Sequence, residues 1–110
     1  MSVDGGYDVE LTPGAIGDAR EIARYIREEL RSPRAAEDTV GVVIGAAEAL
    51  STMPSRNRVL ATACGVEVRR ARAKGYHLLY FVEENRVTVF AVLHGTRDLE
   101  ERLTGLLERL

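Results

Sequence analysis

A chain of 110 residues is long enough to bury a core of its own, so we expect one domain over residues 1–110, and its single Cys64 excludes an internal disulfide. With no second cysteine nearby a zinc site is excluded too, and we predict no metal and no cofactor. The chain shows no signal-peptide pattern and no apolar run near the ~20 residues that span a bilayer, which predicts a cytoplasmic protein without a membrane partner.

The net charge of −2 hides an uneven distribution. Residues 1–55 carry 5 Lys or Arg against 10 Asp or Glu. Residues 56–74 hold only one acid, Glu67, and their cations are Arg56, Arg58, Arg69, Arg70, Arg72 and Lys74. This basic island is able to attract phosphates or an acidic partner through a field that salt screens. A strand edge protected from aggregation by charge explains the same residues equally well.

The chain opens with a strand signal followed by a helix signal. Apolar and polar residues alternate with period two, as in a half-buried strand, at Tyr7, Val9 and Leu11. Thr12-Pro13 then starts a helix, because threonine caps free N–H groups and proline is tolerated where no donor is needed. An apolar stripe follows at helical spacing: Ile16, Ala19, Ala23, Ile26 and Leu30. The first helix is therefore expected to be amphipathic.

A second helix is predicted from about Pro33 to Thr52. Ser32-Pro33 repeats the start signal, and Met53-Pro54 ends the helix. Its apolar stripe is Ala36, Val40, Val43, Ala47 and Leu50. Gly41 and Gly45 are four residues apart, a spacing that would let another backbone approach closely. Two helices joined by so short a turn form an antiparallel hairpin.

Residues 54–63 are expected to form a connecting loop, with three strands after it. Residues 66–72 alternate in the manner of a strand with one charged face. Residues 76–82 and 87–93 are nearly continuous apolar runs, typical of strands covered on both faces. Glu84-Asn85 suits a tight reversal between them, since asparagine tolerates positive φ. These two runs should be the centre of the sheet.

The tail is predicted to be helical. Asp98 is able to cap it, and Glu101 completes a capping-box pattern. Its apolar side consists of Leu99, Leu103, Leu106, Leu107 and Leu110. The order β-α-α-β-β-β-α predicts an α+β fold in which the helical hairpin packs on one face of a curved, mainly antiparallel, four-stranded sheet.

Two segments carry a family resemblance. Residues 75–80 read Gly-Tyr-His-Leu-Leu-Tyr, and residues 92–98 read Val-Leu-His-Gly-Thr-Arg-Asp. Together with the order of elements, they resemble the RelE/ParE superfamily of bacterial toxins from type II toxin–antitoxin systems. The resemblance implies a growth-inhibiting toxin held inactive by a cognate antitoxin. In this family the antitoxin wraps its C-terminal segment across the toxin, which implies contacts with the first two helices and with Leu103, Leu106, Leu107 and Leu110.

The resemblance includes two branches with different chemistry. RelE-like members cut messenger RNA on the ribosome without metal, and Arg70 and Arg97 match basic positions of that branch. His77, however, stands where those nucleases carry arginine, and Leu103 stands where they carry a C-terminal tyrosine. ParE-like members inhibit DNA gyrase, lack the nuclease set and often keep the Val-Leu-His-Gly-x-Arg-Asp pattern. The acidic balance of the chain also disfavours a dedicated ribosomal RNA binder. The ParE-like branch is therefore favoured.

Three function hypotheses stand at this point: a toxin that binds a protein such as gyrase, a ribosome-dependent endoribonuclease, and a degenerate non-toxic member. Whether the protein is an enzyme stays open. The catalytic candidates, if it is a nuclease, are Arg70, His77 and Arg97. The candidates for binding a target or a phosphate are Arg69, Arg72, Lys74 and His94.

Each candidate also has a structural interpretation. His77 is more simply a hydrogen-bonded, half-buried histidine. His94 at a strand end often does no more than hydrogen-bond a turn. Arg97 has equal reason to pair with a carboxylate of its own fold. The leucines of the tail are explained at least as well by core packing as by antitoxin binding.

Overall fold

The α+β class predicted from the sequence is confirmed by the computed structural model, which describes residues 6–95 and 99–110. The elements follow one another as β1 (Asp8–Leu11), α1 (Pro13–Glu28), α2 (Pro33–Ala49), β2 (Val59–Ala63), β3 (Val66–Ala73), β4 (Tyr76–Glu83), β5 (Arg86–His94) and α3 (Leu99–Leu107). The sheet order is β1-β5-β4-β3-β2. Only the β1–β5 pair is parallel, so the sheet is mainly antiparallel as predicted.

The predicted strand count was wrong, because the sheet has five strands and not four. Most of the expected loop at residues 54–63 is strand β2, which pairs with β3. The two strands are joined by a two-residue turn at Cys64-Gly65, where φ is +51° and +80°. Positive φ at both positions matches the twist of a tight hairpin. The sequence Val-Leu-Ala-Thr-Ala gave no polar alternation from which to recognise a strand this short.

Both helices of the hairpin begin where the sequence predicted. The hydroxyl of Thr12 accepts a hydrogen bond from the Ala15 N–H at 3.1 Å, and that of Ser32 accepts one from the Ala35 N–H at 3.3 Å. These caps satisfy N–H groups that the first turn leaves free. Helix α2 ends at Ala49, three residues before the predicted end. A short 3-10 turn, Pro54–Arg56, then leads into β2.

The β4–β5 hairpin differs from its prediction in one detail. Its positive φ of 55° falls on Glu84, not on Asn85. The register also shifts within this hairpin, because Leu79 pairs with Ala91 while Tyr80 pairs with Val89. Phe90 is therefore an extra residue, and β5 contains a bulge.

The sheet is apolar on both faces, and each face has its own cluster. The hairpin cluster lies between the sheet and the helices α1 and α2, and its buried members include Val43, Leu50, Leu78, Tyr80 and Val89. The α3 cluster lies on the other face, and its buried members are Val68, Leu79, Phe90, Ala91, Leu93, Leu99 and Leu106. Burial of such side chains contributes roughly 1.5–3 kcal/mol each. The two faces are called the hairpin face and the α3 face below.

Within the described residues, no helix combines the length and the apolar character that crossing a bilayer requires.

Candidate functional site

A groove of about 510 Å³ runs between α1 and α2 on the outer surface of the hairpin. Its lining is apolar apart from one row of cations. The apolar residues are Leu11, Ile16, Ala19, Ala23, Val40, Val43 and Ile44, and the cations are Arg20, Arg24 and Arg27. We call this feature the α1–α2 groove. Open apolar grooves with a polar rim are typical of protein interaction sites.

The groove exists because the apolar stripes of both helices are wider than the sheet is able to cover. Ala15, Ala23 and Ile26 of α1 are buried, whereas Ile16 is 38% exposed. On α2, Val40 is 37% exposed and Ile44 is 50% exposed. Large aliphatic side chains gain from leaving water, so these positions favour a partner that covers them.

The rim of the groove is positively charged. Arg20, Arg24 and Arg27 follow at helical spacing along one side of α1, so they form a row. Glu21 and Glu28 pair with Arg24, the latter at 3.3 Å, and Glu28 also lies 3.9 Å from Arg27. Arg20 makes no ion pair with any residue in the described ranges. A row of this kind attracts a carboxylate-bearing partner and adds to the rate of association.

A second cluster lies on the α3 face, where Arg70, Arg72 and His77 come together. Arg72 pairs directly with His77, and Arg70 pairs with Leu79. Since directly opposite residues point to the same face, all three side chains lie on the side of Leu79, the α3 face. The structure therefore brings two of the three catalytic candidates, Arg70 and His77, onto one surface.

His77 itself differs from its sequence interpretation. It is only 1% exposed, where a half-buried histidine was expected. Its Nδ1 has no hydrogen-bond partner among residues 6–95 and 99–110, so the expected hydrogen bond is missing there as well. Burial is the main cause that lowers the pKa of His77, and Arg70, Arg72 and His94 lower that pKa further. The imidazole is thus held neutral.

Arg69 points to the hairpin face, away from Arg70 and Arg72. Its guanidinium donates to the carbonyl of Ser55 at 2.9 Å and to that of Asn57, and it pairs with Glu67 at 3.3 Å. These bonds hold the loop before β2. The structure therefore gives Arg69 a structural role, and the basic island of the sequence is divided between two faces of the sheet.

Lys74 and His94 lie at the end of the sheet where β3, β4 and β5 turn. Lys74 has φ of 47° and precedes Gly75, with φ of 84°, in the β3–β4 turn. The His94 ring stacks on Tyr76, with centroids 4.6 Å apart and planes 23° apart. Tyr76 in turn hydrogen-bonds Thr39 of α2 at 3.2 Å. Arg97 and its neighbour Asp98 fall outside the described residues.

The leucines predicted to bind an antitoxin lie in the protein's own α3 cluster. Leu106 is buried, and Leu103, Leu107 and Leu110 are partly buried against the same apolar residues. These leucines pack in the protein's own core, and their contact with an antitoxin stays a prediction.

Two features were not predicted, and one expected contact is not found in the described ranges. The α1–α2 groove was missed as a groove, although its signal was present in apolar residues such as Ile44 at the border of the α2 stripe. The ion pair between Asp18 and Arg109 spans almost the whole chain and has no local signal. The expected close approach at Gly41 and Gly45 is not made by the described part of the chain, where nothing lies within 4 Å of an added Cβ at either glycine.

Residues 9–99 match the family described as the ParE toxin of the type II toxin–antitoxin system, parDE. The chain belongs to the ParE toxin family. The match runs from the second residue of β1 to the first residue of α3. A search of curated proteins finds no match.

Three solved structures similar in fold to this ParE family member come from toxin–antitoxin systems. A chain from the chromosomal ParDE system of P. aeruginosa shares 13% identity at a TM-score of 0.68, covering 84% of this chain and 100% of that one. A chain from the RelBE2 complex of Mycobacterium tuberculosis shares 26% identity at a TM-score of 0.58, and the match covers 81% of this chain and 91% of that one. A chain from the archaeal RelE–RelB complex of Pyrococcus horikoshii shares 14% identity at a TM-score of 0.59, and the match covers 84% of this chain and 98% of that one.

Proposed function

We propose that this ParE family member is a non-catalytic toxin that inhibits growth by binding a protein target, with DNA gyrase as the first candidate. We further propose that a cognate antitoxin neutralises it by laying an acidic amphipathic helix in the α1–α2 groove. The target follows from the branch of the resemblance that the sequence favours.

The burial of His77 is the observation that carries the non-catalytic proposal. A general acid or base must come within about 2.6–3.2 Å of the group it protonates or deprotonates. An imidazole that is 1% exposed has no such access. Arg69 is also occupied with the loop before β2. Among the described residues, the one histidine that was predicted to be catalytic is therefore out of reach of a ribose.

Two properties of the α1–α2 groove support an antitoxin helix as its occupant. Its apolar lining from Leu11 to Ile44 matches the apolar side of an amphipathic helix. Its row of arginines at positions 20, 24 and 27 matches acidic residues on the border of that side. Solved structures similar in fold come from ParDE and RelBE systems, which supports an antitoxin as the partner.

Two assays with the purified protein distinguish the targets. We expect supercoiling by DNA gyrase to fall as the protein is added, while messenger RNA on programmed ribosomes stays intact. Cleaved messenger RNA with normal supercoiling would overturn the proposal in favour of a nuclease. If both assays are unaffected and induction leaves growth unchanged, the protein is a degenerate member and the proposal is wrong.

The groove is tested by charge reversal. We expect Arg20→Glu to weaken binding of the cognate antitoxin by about tenfold, because it places an acid at the rim. Arg34→Glu changes the net charge equally but lies outside the groove, so binding should change little. Equal effects of the two variants would show that only overall charge matters. Ile44→Asp should abolish binding with little effect on stability, since Ile44 is half exposed.

A ribosome-dependent nuclease is the second candidate because Arg70, Arg72 and His77 share one face. Arginines on one surface are able to neutralise a phosphate without metal. This function requires the α3 face to open first, since His77 is buried there. In that case Arg70→Ala should abolish cleavage of messenger RNA on programmed ribosomes.

A further inference from the structure

Helix α3 and the residues after it contact the rest of the molecule through many apolar side chains but through a single polar one. Within the described ranges, every hydrogen bond and ion pair between residues 99–110 and the remainder comes from one side chain, Arg109. All other contacts are apolar, from Leu99, Leu103, Leu106, Leu107 and Leu110 to the α3 cluster. Apolar contacts are not directional, so Arg109 is what fixes the helix at a defined position.

Arg109 binds a site that α1 and β5 build jointly. Its guanidinium donates to both oxygens of Asp18, at 2.7 and 3.0 Å, and to the carbonyl of Phe90 at 3.0 Å. Asp18 also accepts the Val92 N–H at 2.9 Å. The parallel pairing of β1 with β5 ends at Val89, so these two side chains satisfy the main chain of β5 beyond the end of β1.

Gly14 leaves room for this contact. A Cβ at position 14 would lie 3.3 Å from a terminal nitrogen of Arg109, closer than most carbon contacts. The guanidinium therefore lies directly against the first turn of α1. The pair Asp18–Arg109 connects three parts of the fold: α1, the bulged part of β5 and the segment after α3.

We propose that α3 is a lid over the α3 face, that the pair Asp18–Arg109 is its latch, and that the lid opens as a unit while the rest stays folded. The hairpin cluster contains no residue of α3, so it keeps its contacts when the lid opens. Segments held by few polar contacts open at lower free energy than the whole protein.

The open form would present a surface that the closed form hides. The hidden part consists of the apolar side chains of Val68, Leu79 and Phe90, and it adjoins Arg70, which is half-buried, and Arg72, which is exposed in the closed form as well. His77 lies on the same face, is 1% exposed and has an Nδ1 without a partner among the described residues, and burying such a group costs free energy. The latch holds α3 closed, so the state of one ion pair controls access to the apolar part of the α3 face.

The experiment measures thiol labelling in a Cys64→Ser background, which removes the exposed native thiol. Val68→Cys reports on the α3 cluster, and Val43→Cys, a matched buried position, reports on the hairpin cluster. We expect Arg109→Ala to raise labelling at position 68 by at least about tenfold and to leave position 43 unchanged. Arg102→Ala, also on α3, should change neither rate, and Arg109→Lys should fall between.

Equal acceleration at positions 68 and 43 would mean global unfolding and would overturn the proposal, as would no acceleration at either. If Val68→Cys fails to fold, amide hydrogen exchange on the otherwise native chain decides the same question. Arg109→Ala must then speed exchange of residues 99–107 more than that of α1, and uniform exchange overturns the lid. Neither readout involves toxicity, so its result is independent of the proposed function.

Discussion

Arg72 on β3 and His77 on β4 lie directly opposite each other on the α3 face of the sheet. Opposite residues of an antiparallel pair have Cβ atoms only about 5 Å apart. A permanent positive charge therefore lies beside an imidazole that is 1% exposed. Burial lowers the pKa of His77 most, and the neighbouring arginines lower it further. The folded state therefore favours the neutral form of this histidine.

Stability should decrease in acid because of His77. Its pKa in the folded protein lies below the ordinary 6.5, so the unfolded chain binds the proton first as the pH falls. The stabilisation is fully present above pH 6.5 and is lost progressively below it. Urea unfolding at about pH 7.5 and about pH 5 measures the difference. His77→Leu should lose less stability over this interval than the unmodified protein.

His94 provides the control for this pH effect, since it is exposed at the end of β5. His94→Gln should keep most of the acid-dependent loss of stability, because it removes only the smallest of the causes that lower the pKa of His77. If His77→Leu loses as much free energy of unfolding as the unmodified protein between the two pH values, another group is responsible.

Asp18 and Arg109 should show energetic coupling in a double-mutant cycle. The two side chains make paired hydrogen bonds, and Asp18 is 15% exposed, but Arg109 is 35% exposed and partly screened by solvent. We therefore expect a coupling of about 1 kcal/mol from Asp18→Asn and Arg109→Ala in urea unfolding. The exposed pair Arg24–Glu28 is the matched control and should couple by about 0.3–0.5 kcal/mol. Equal couplings would show that the longer-range pair has no special role.

Tyr80→Phe should destabilise the protein by about 1–2 kcal/mol. The Tyr80 hydroxyl is buried; it donates to the carbonyl of Pro54 and accepts from the Asn57 side chain at 2.9 Å. Its loss leaves both groups of the loop before β2 without a partner. Tyr25→Phe, at an exposed tyrosine, should change the free energy of unfolding by less than about 0.5 kcal/mol. Similar values for both variants in urea unfolding would contradict this role.

Two glycine substitutions should change the free energy of unfolding in opposite directions. Gly45→Ala lies in α2 with nothing within 4 Å of the added Cβ, and should stabilise by about 0.5–1 kcal/mol through helix propensity. Gly65→Ala lies at φ of +80° in the β2–β3 turn and should destabilise by about 1 kcal/mol. Thermal unfolding of the two variants measures both. A loss of stability in Gly45→Ala would indicate an undetected contact on α2.

The parts of the fold that the sequence predicted correctly depend on local chemistry. Thr12 and Ser32 cap the helices at the predicted positions because a hydroxyl and the N–H groups three residues later are near neighbours in any chain. The alternation of β1 reflects one covered face. Two local signals gave wrong predictions. Strand β2 has no polar alternation and was predicted as a loop, and the turn after β4 has its positive φ at Glu84 and not at Asn85.

The burial of His77 and the α1–α2 groove could not be predicted, because both result from tertiary packing that no local sequence pattern reveals. The bulge at Phe90 changes the alternation of β5, so Phe90 and Ala91 both join the α3 cluster while Val92 returns to the hairpin cluster. His77 was expected to be half buried because a strand pattern says nothing about which helix covers each face. For the same reason Ile44 was predicted as part of no stripe, and the α1–α2 groove was not foreseen.

The sheet separates two clusters that share no side chain, which makes the protein modular. Strands β4 and β5 supply residues to both clusters, so one backbone supports two surfaces of different chemistry. Substitutions at Leu79 or Leu93 change packing in the α3 cluster, and those at Leu78 or Val92 change packing in the hairpin cluster. A lineage with this architecture is able to change what it recognises on one face while the other preserves the fold, and the same division gives a protein engineer two independently adjustable surfaces.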